Sequence, residues 1–216
     1  MAVTPGKANY VKILKPAAFD SDDAAFVESF RAGDHRAKAE LYRRYATHIE
    51  RVLYRVLGWD GEALELVQEV FLRAIAGAHG FRGNYPELKP WLTRIAVYTA
   101  RGVIRKRKVR KWLQIQSPET IPDVATQVAS PEEIETVRRV YSVIEKLPSK
   151  ERVAFTLRYI GELDLGEIAD ACGVSLATIK RRLKKARQHF VQHARRDPYL
   201  NEYLSRHEGR HLEPVP

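Results

Sequence analysis

From Trp91 to Trp112 the chain reads WLTRIAVYTARGVIRKRKVRKW, with eight Lys or Arg and no Asp or Glu. On a helical period, Arg94, Tyr98, Arg101, Arg105 and Lys108 fall on one outward stripe. Cations in a line match a phosphate backbone, and a tyrosine among them offers a face on which an unstacked base can rest. The plainer alternative for Tyr98 is packing against its neighbours. A second basic run lies between Ser175 and Arg196, again with eight Lys or Arg and no carboxylate.

The residues before and inside that second run are patterned. DLGEIADACGVSLATIKRRLKKAR holds a capping-box pair, Asp164 and Glu167, around a short helix whose inward face is Ile168, Ala169 and Cys172. Ala169 is small enough for a second helix to cross closely. Gly173 stands where a turn needs positive φ, Ser175 can cap the next helix, and Ile179 and Leu183 anchor it. This is helix-turn-helix spacing, in which the second helix enters a major groove. Ser175, Thr178, Lys180, Arg181 and Lys184 then lie where base edges and phosphates are met, while Arg182, Lys185 and Arg187 meet phosphate or solvent.

Other elements must position these helices. Ser21 can cap a helix to about Arg31. Asp34 can cap a second, with Leu41, Tyr45, Ile49, Val52 and Val56 apolar and Gly58 at its end. Asp60 precedes a third, from Glu62 to about Ala76, whose buried stripe is Ala63, Leu66, Val67, Val70, Phe71 and Ala74. AHGFRGNYPELKP predicts a loop, with Pro90 in the first turn of the basic helix. That helix turns Trp91, Leu92, Ile95, Thr99 and Val103 toward a core. Periodicity then stops over 113–130. It resumes at Ser130, Pro131 and Glu133, the start signal for helices at about 131–147 and 149–160.

The expected fold is all-α. An arm (1–20) precedes a first helical domain (21–112), a flexible linker (113–130), a helix-turn-helix domain (131–196) and a tail (197–216). Extended, the linker reaches roughly 60 Å.

Totals narrow the function. A net charge of +10 and a pI near 9.7 favour an anionic partner. One cysteine, Cys172, rules out an intrachain disulfide framework and suits a small core residue. Neither a signal-peptide core nor a membrane-length apolar run is present, so a cytoplasmic protein without membrane insertion is expected. No nucleophile elbow or Gly-rich phosphate loop suggests an enzyme, and no cofactor is expected. His189 and His193 stand four apart, as do His207 and His211, but without HExxH or CxxC they read as solvated histidines rather than a metal site.

With both halves read, the chain resembles an extracytoplasmic-function (ECF) sigma factor of bacterial RNA polymerase. The resemblance covers about residues 22–195 and rests on GDHRAKAELYRRY, ELVQEVFLRA, FRGNYPELKPWLTRIA and LPSKERVAFTLRYIGELDLGEIADACGVSLATIKRRLKKAR, in that order. It implies a transcription initiation factor with two partners, core RNA polymerase and promoter DNA. Sigma region 2 in the first domain would hold the polymerase and open the −10 element; region 4 in the second would read the −35 element. An anti-sigma factor is a common further partner in that family.

The resemblance places Glu65, Gln68, Glu69 and Leu72 in the polymerase-contacting helix. It assigns the loop from Phe81 to Glu87, with Phe81, Arg82, Asn84 and Tyr85, to capture of a flipped base. Tyr98 and Gly102 depart from the residues common in the family. A helix-turn-helix regulator that acts without polymerase, and a sigma-like adaptor with little DNA affinity, stay open as alternatives at this stage.

Overall fold

The computed structural model describes residues 23–58, 63–112 and 131–206, and all regular structure among them is helical. The first module holds α1 (Asp23–Arg31), α2 (His35–Leu57), α3 (Ala63–Ala76), a 3-10 turn (Ala78–Gly80) and α4 (Tyr85–Trp112). The second holds α5 (Pro131–Ile144), α6 (Ser149–Tyr159), α7 (Leu165–Cys172), α8 (Leu176–Ala194) and α9 (Pro198–Arg206). The proposed caps Ser21, Asp60 and Ser130, the arm and the linker 113–130 lie outside the described residues.

Local chemistry explains the boundaries. The Asp34 carboxylate accepts from the Arg36 and Ala37 amides at 2.7 and 2.9 Å and opens α2; Gly58, at φ 81°, closes it. The start of α4 corrects the sequence reading. The helix begins at Tyr85, and Pro90 sits inside it rather than in its first turn. Glu87 Oε2 accepts from the Asn84 amide at 2.8 Å, so the Asn-x-x-Glu spacing starts the helix five residues earlier than Pro90 suggests. The helix α9 is likewise unanticipated. Asp197 Oδ1 accepts from the Leu200 amide at 3.1 Å, Pro198 occupies the first turn, and Leu200 is buried.

The apolar stripes of α2 and α3 meet α4 as their periodicity predicts: Leu41, Ile49, Val52 and Val56 join Leu66, Val67, Val70 and Phe71 in the core. The buried face of α4 is wider than expected. Leu88, Leu92, Ala96, Val97, Thr99, Ala100 and Ile104 are all buried, while Trp91, Ile95 and Val103 are only partly so. The reason is tertiary, because α4 is covered by α2 and α3 on one side and by α6 and α7 on another.

The two modules therefore share one core, in which Ile168, Ala169, Cys172, Ile179 and Leu183 pack with residues of α2 and α4. Burial raises the Cys172 thiol pKa, as suits a core position. A second cluster joins Val143, Ile144, Leu147, Phe155, Phe190 and Leu200 and fixes α5, α8 and α9 together. Across the junction, Arg152 Nε and Nη2 donate to the carbonyls of Val56 and Leu57, both at 2.9 Å. The Arg152 residue is 4% exposed, and its burial pushes its pKa down.

One half-buried histidine makes stability depend on pH. The Thr93 hydroxyl donates to Lys89 O at 2.8 Å, so it accepts from His48 Nε2 at 2.8 Å. Burial, then the nearby Lys89, Arg55 and Arg51, depresses the His48 pKa from 6.5 to about 4. Between those values the unfolded chain binds a proton that the folded chain does not, so stability falls as pH drops. The urea midpoint is expected to decline from pH 6.5 to about 4, and less steeply in His48→Gln. His193, depressed by slight burial and by Arg196, supplies part of the remaining slope. Glu40, held down to about 2 by its hydrogen bonds to Arg43 and Arg44, adds its loss only below about pH 4.5.

Candidate nucleic-acid interface

The helix-turn-helix is built as its spacing predicts. Asp164 and Glu167 form the reciprocal capping box of α7, at 2.8 and 2.9 Å. Gly173 takes the left-handed conformation, φ 62° and ψ 43°, and turns the chain into α8. Ser175 Oγ caps α8 by accepting from the Thr178 amide at 3.4 Å and lies 3.0 Å from the Thr178 hydroxyl. Ile179 and Leu183 are fully buried. Ser175, Lys180, Arg181 and Lys184 are exposed, and Thr178 is half-buried. Lys185 is exposed, but Arg182 is half-buried beside the Cys172 thiol, so it faces inward rather than toward phosphate or solvent.

On α4, Arg94, Tyr98, Arg105 and Lys108 are exposed and Arg101 is partly buried. The Arg101 guanidinium lies 5.4 Å from the centroid of the exposed Tyr98 ring, which places a cation beside an aromatic face. Gly102 has open space where a side chain would project. The stripe is also engaged within the molecule. Arg94 Nε donates to Asp170 O at 2.8 Å, and a Cβ placed on Gly173 would lie 3.2 Å from the Tyr98 hydroxyl. The first helix of the helix-turn-helix and its turn thus sit against the N-terminal half of the α4 stripe.

The loop before α4 divides into inward and outward residues. Phe81 is buried, with its ring 4.9 Å from that of Trp91, so it supports the loop from beneath. Arg82 and Asn84 are exposed and Tyr85 is half-buried. Arg44 Nη1 donates to the Tyr85 hydroxyl at 3.0 Å.

On α3, Glu65 and Gln68 are exposed, Glu69 is partly exposed and ion-paired to Arg73 at 2.5 Å, and Leu72 is 67% exposed. Leu64, 66% exposed, escaped the sequence reading. With Gln68 and Leu72 it stands at i, i+4, i+8, which makes two outward leucines on one face. A leucine out of phase with the buried stripe was the available signal. Arg31 and Arg152 were also missed; Arg152 was detectable as a cation on the buried phase of its helix, one turn before Thr156. His189 is engaged with a carboxylate, its Nδ1 2.7 Å from Glu151 Oε2.

Fold and surface together define a two-module, all-helical DNA-binding protein with a sigma-type arrangement. Profiles of Sigma-70 region 2 and Sigma-70 region 4 match residues 41–110 and 138–190. The chain is 31% identical to the ECF RNA polymerase sigma factor SigW of Bacillus subtilis (strain 168), over 75% of this chain and 91% of that protein. It is 29% identical to the ECF RNA polymerase sigma-E factor of Escherichia coli (strain K12), over 77% and 91%. The solved structure of CnrH in complex with the cytosolic domain of CnrY shares the fold at 20% identity and TM-score 0.54, covering 81% of this chain and 98% of that one. A sigma factor RpoE in complex with the anti-sigma factor NepR from Bartonella quintana shares it at 21% identity and TM-score 0.52, over 72% and 95%. The chain belongs to the ECF family of RNA polymerase sigma factors. It is a promoter-recognising transcription initiation factor, not an enzyme. No helix among the described residues is long and apolar enough to cross a membrane.

Proposed function

We propose that the first module docks on core RNA polymerase through the outward face of α3 (Leu64, Glu65, Gln68, Glu69 and Leu72). In this reading it captures the −10 strand along Arg94, Tyr98, Arg101, Arg105 and Lys108. The loop residues Arg82, Asn84 and Tyr85 receive an unstacked base, which holds DNA open without nucleotide hydrolysis. The second module reads the −35 duplex through Ser175, Lys180, Arg181 and Lys184, with Thr178 tied into the cap. Residues 113–130 set the distance between the two grips. The protein works in the cytoplasm, where its polymerase and promoters are, and the structural neighbour solved with the anti-sigma factor NepR supports control by an anti-sigma partner.

The observation that carries this reading is the pairing of a carboxylate-free basic stripe on α4 with a capped, outward-facing basic helix α8. Because α7 covers α4 near Arg94 and Tyr98, the stripe becomes fully available to DNA when the modules part. Run-off transcription with reconstituted holoenzyme tests the proposal, and start-site-specific RNA is expected. Leu72→Asp is expected to weaken core binding at least about tenfold, since it puts a charge in place of one of the two exposed leucines of the docking face. Its helical circular dichroism should be unchanged. Specific transcription that survives Leu72→Asp at full strength would remove α3 from the docking role.

A further inference from the structure

The loop that enters α4 is held by two arginines from α1 and α2. Arg31, the last residue of α1, donates from Nε to Phe81 O at 2.9 Å and from Nη2 to Gly83 O at 2.5 Å. Its guanidinium also lies 5.7 Å from the Phe81 ring centroid. At the other end, Arg44 bonds the Tyr85 hydroxyl and spreads over the Phe26 and Tyr85 rings, 4.6 and 5.5 Å from their centroids. The loop is tightly folded between these grips. A Cβ on Gly83 would lie 2.8 Å from Phe81 Cζ and 2.9 Å from Glu87 Cβ.

This geometry sets which groups face outward. Two carbonyls, at Phe81 and Gly83, are drawn back toward α1, and Phe81 is buried, while the side chains of Arg82 and Asn84 stay exposed. A short loop with glycines at positions 80 and 83 has much conformational freedom to lose. A guanidinium fork that bonds two of its carbonyls removes that freedom before any ligand arrives. The Arg31 guanidinium is committed to those carbonyls and to the Glu28 carboxylate, so any influence it has on DNA passes through the loop.

We propose that Arg31, assisted by Arg44, is a positioning residue: it holds loop 81–85 in the shape that receives an unstacked −10 base, and so determines base discrimination there. The proposal rests on the reading of that loop as the base-capturing segment. Arg31 lies outside the residues matched by the region 2 profile, 41–110, and Arg44 lies within them.

The test selects active promoters with holoenzyme from a template library randomised across the −10 and −35 elements. The proteins compared are wild type, Arg31→Ala, Arg31→Lys, Arg82→Ala and Asn84→Ala. Arg31→Ala is expected to lower discrimination at one −10 position about tenfold, with −35 preference intact. Arg31→Lys should recover little of it, because an ammonium does not reproduce the planar fork; it also carries the test if Arg31→Ala fails to fold. A uniform fall in output with unchanged −10 preference in both Arg31 variants means a purely structural role and overturns the proposal. If Arg82→Ala and Asn84→Ala also leave −10 preference unchanged, the base-capture reading of the loop fails as well. If those two shift it and the Arg31 variants do not, only the positioning role is lost.

Discussion

Arg152→Ala is expected to part the two modules. The Arg152 guanidinium is buried and has no carboxylate partner among its hydrogen bonds; its acceptors are the carbonyls of Val56 and Leu57 at the end of α2. The last carbonyls of a helix have no intrahelical partner and carry the negative end of its dipole, so a cation is favoured there. Charged hydrogen bonds of this kind are worth about 1.5–3 kcal/mol each, and a buried acceptor left without its donor costs about 1–3 kcal/mol. Alanine leaves two carbonyls that water satisfies only if α6 moves away.

The other polar contacts at this junction are weaker. The Arg55 Nη1 to Gly161 O and Tyr141 hydroxyl to Arg55 O distances are both 3.4 Å, and Arg94 is exposed. Loss of about 3 kcal/mol at Arg152 therefore falls on the best-buried polar contact between the modules. Small-angle scattering should show a larger radius of gyration for Arg152→Ala, and calorimetry should resolve one unfolding transition into two. Arg152→Met, which keeps bulk but not charge, should lie between wild type and alanine. An unchanged radius and a single transition in Arg152→Ala would show that the apolar contacts of α4 with α7 suffice.

The second large effect concerns what each basic helix reads. Lys180→Ala or Arg181→Ala is expected to cost about 1–3 kcal/mol on a preferred −35 duplex and much less on an unrelated one, if the residue contacts a base edge. Both side chains are exposed on the first turns of α8, beyond the Ser175 cap that fixes how the helix enters a groove. Lys108→Ala, near the far end of the α4 stripe, is expected to weaken binding evenly across sequences. It should also reduce the slope of log affinity against log salt by about one. Fluorescence anisotropy with holoenzyme at several salt concentrations separates these behaviours. Equal losses on all sequences from all three variants would abolish the division of labour.

Much of the architecture was legible because its signals are local. Asp34, Gly58, the Asp164–Glu167 box, Gly173 and Ser175 each act on backbone groups within a few residues, and each does in the structure what its spacing implied. The two misjudged boundaries had signals of the same kind that went unread. Asn84-x-x-Glu87 opens α4 ahead of Pro90, and Asp197-Pro198 opens α9. The roles of outward residues were less legible. Phe81 sits in the candidate loop by order along the chain, yet its ring is packed on Trp91, because inward or outward direction in a loop follows no period.

By itself the sequence determined the helices, their caps, the helix-turn-helix and the two carboxylate-free basic surfaces, since propensity, capping and periodicity act over one or two turns. Only the tertiary structure decided that α7 lies on α4, that Arg152 seals the end of α2, and that Arg31 grips the loop 50 residues away. Those choices join groups far apart in the chain, where a single arginine in a charged helix looks like any other until burial removes its water and leaves it a carbonyl to bond.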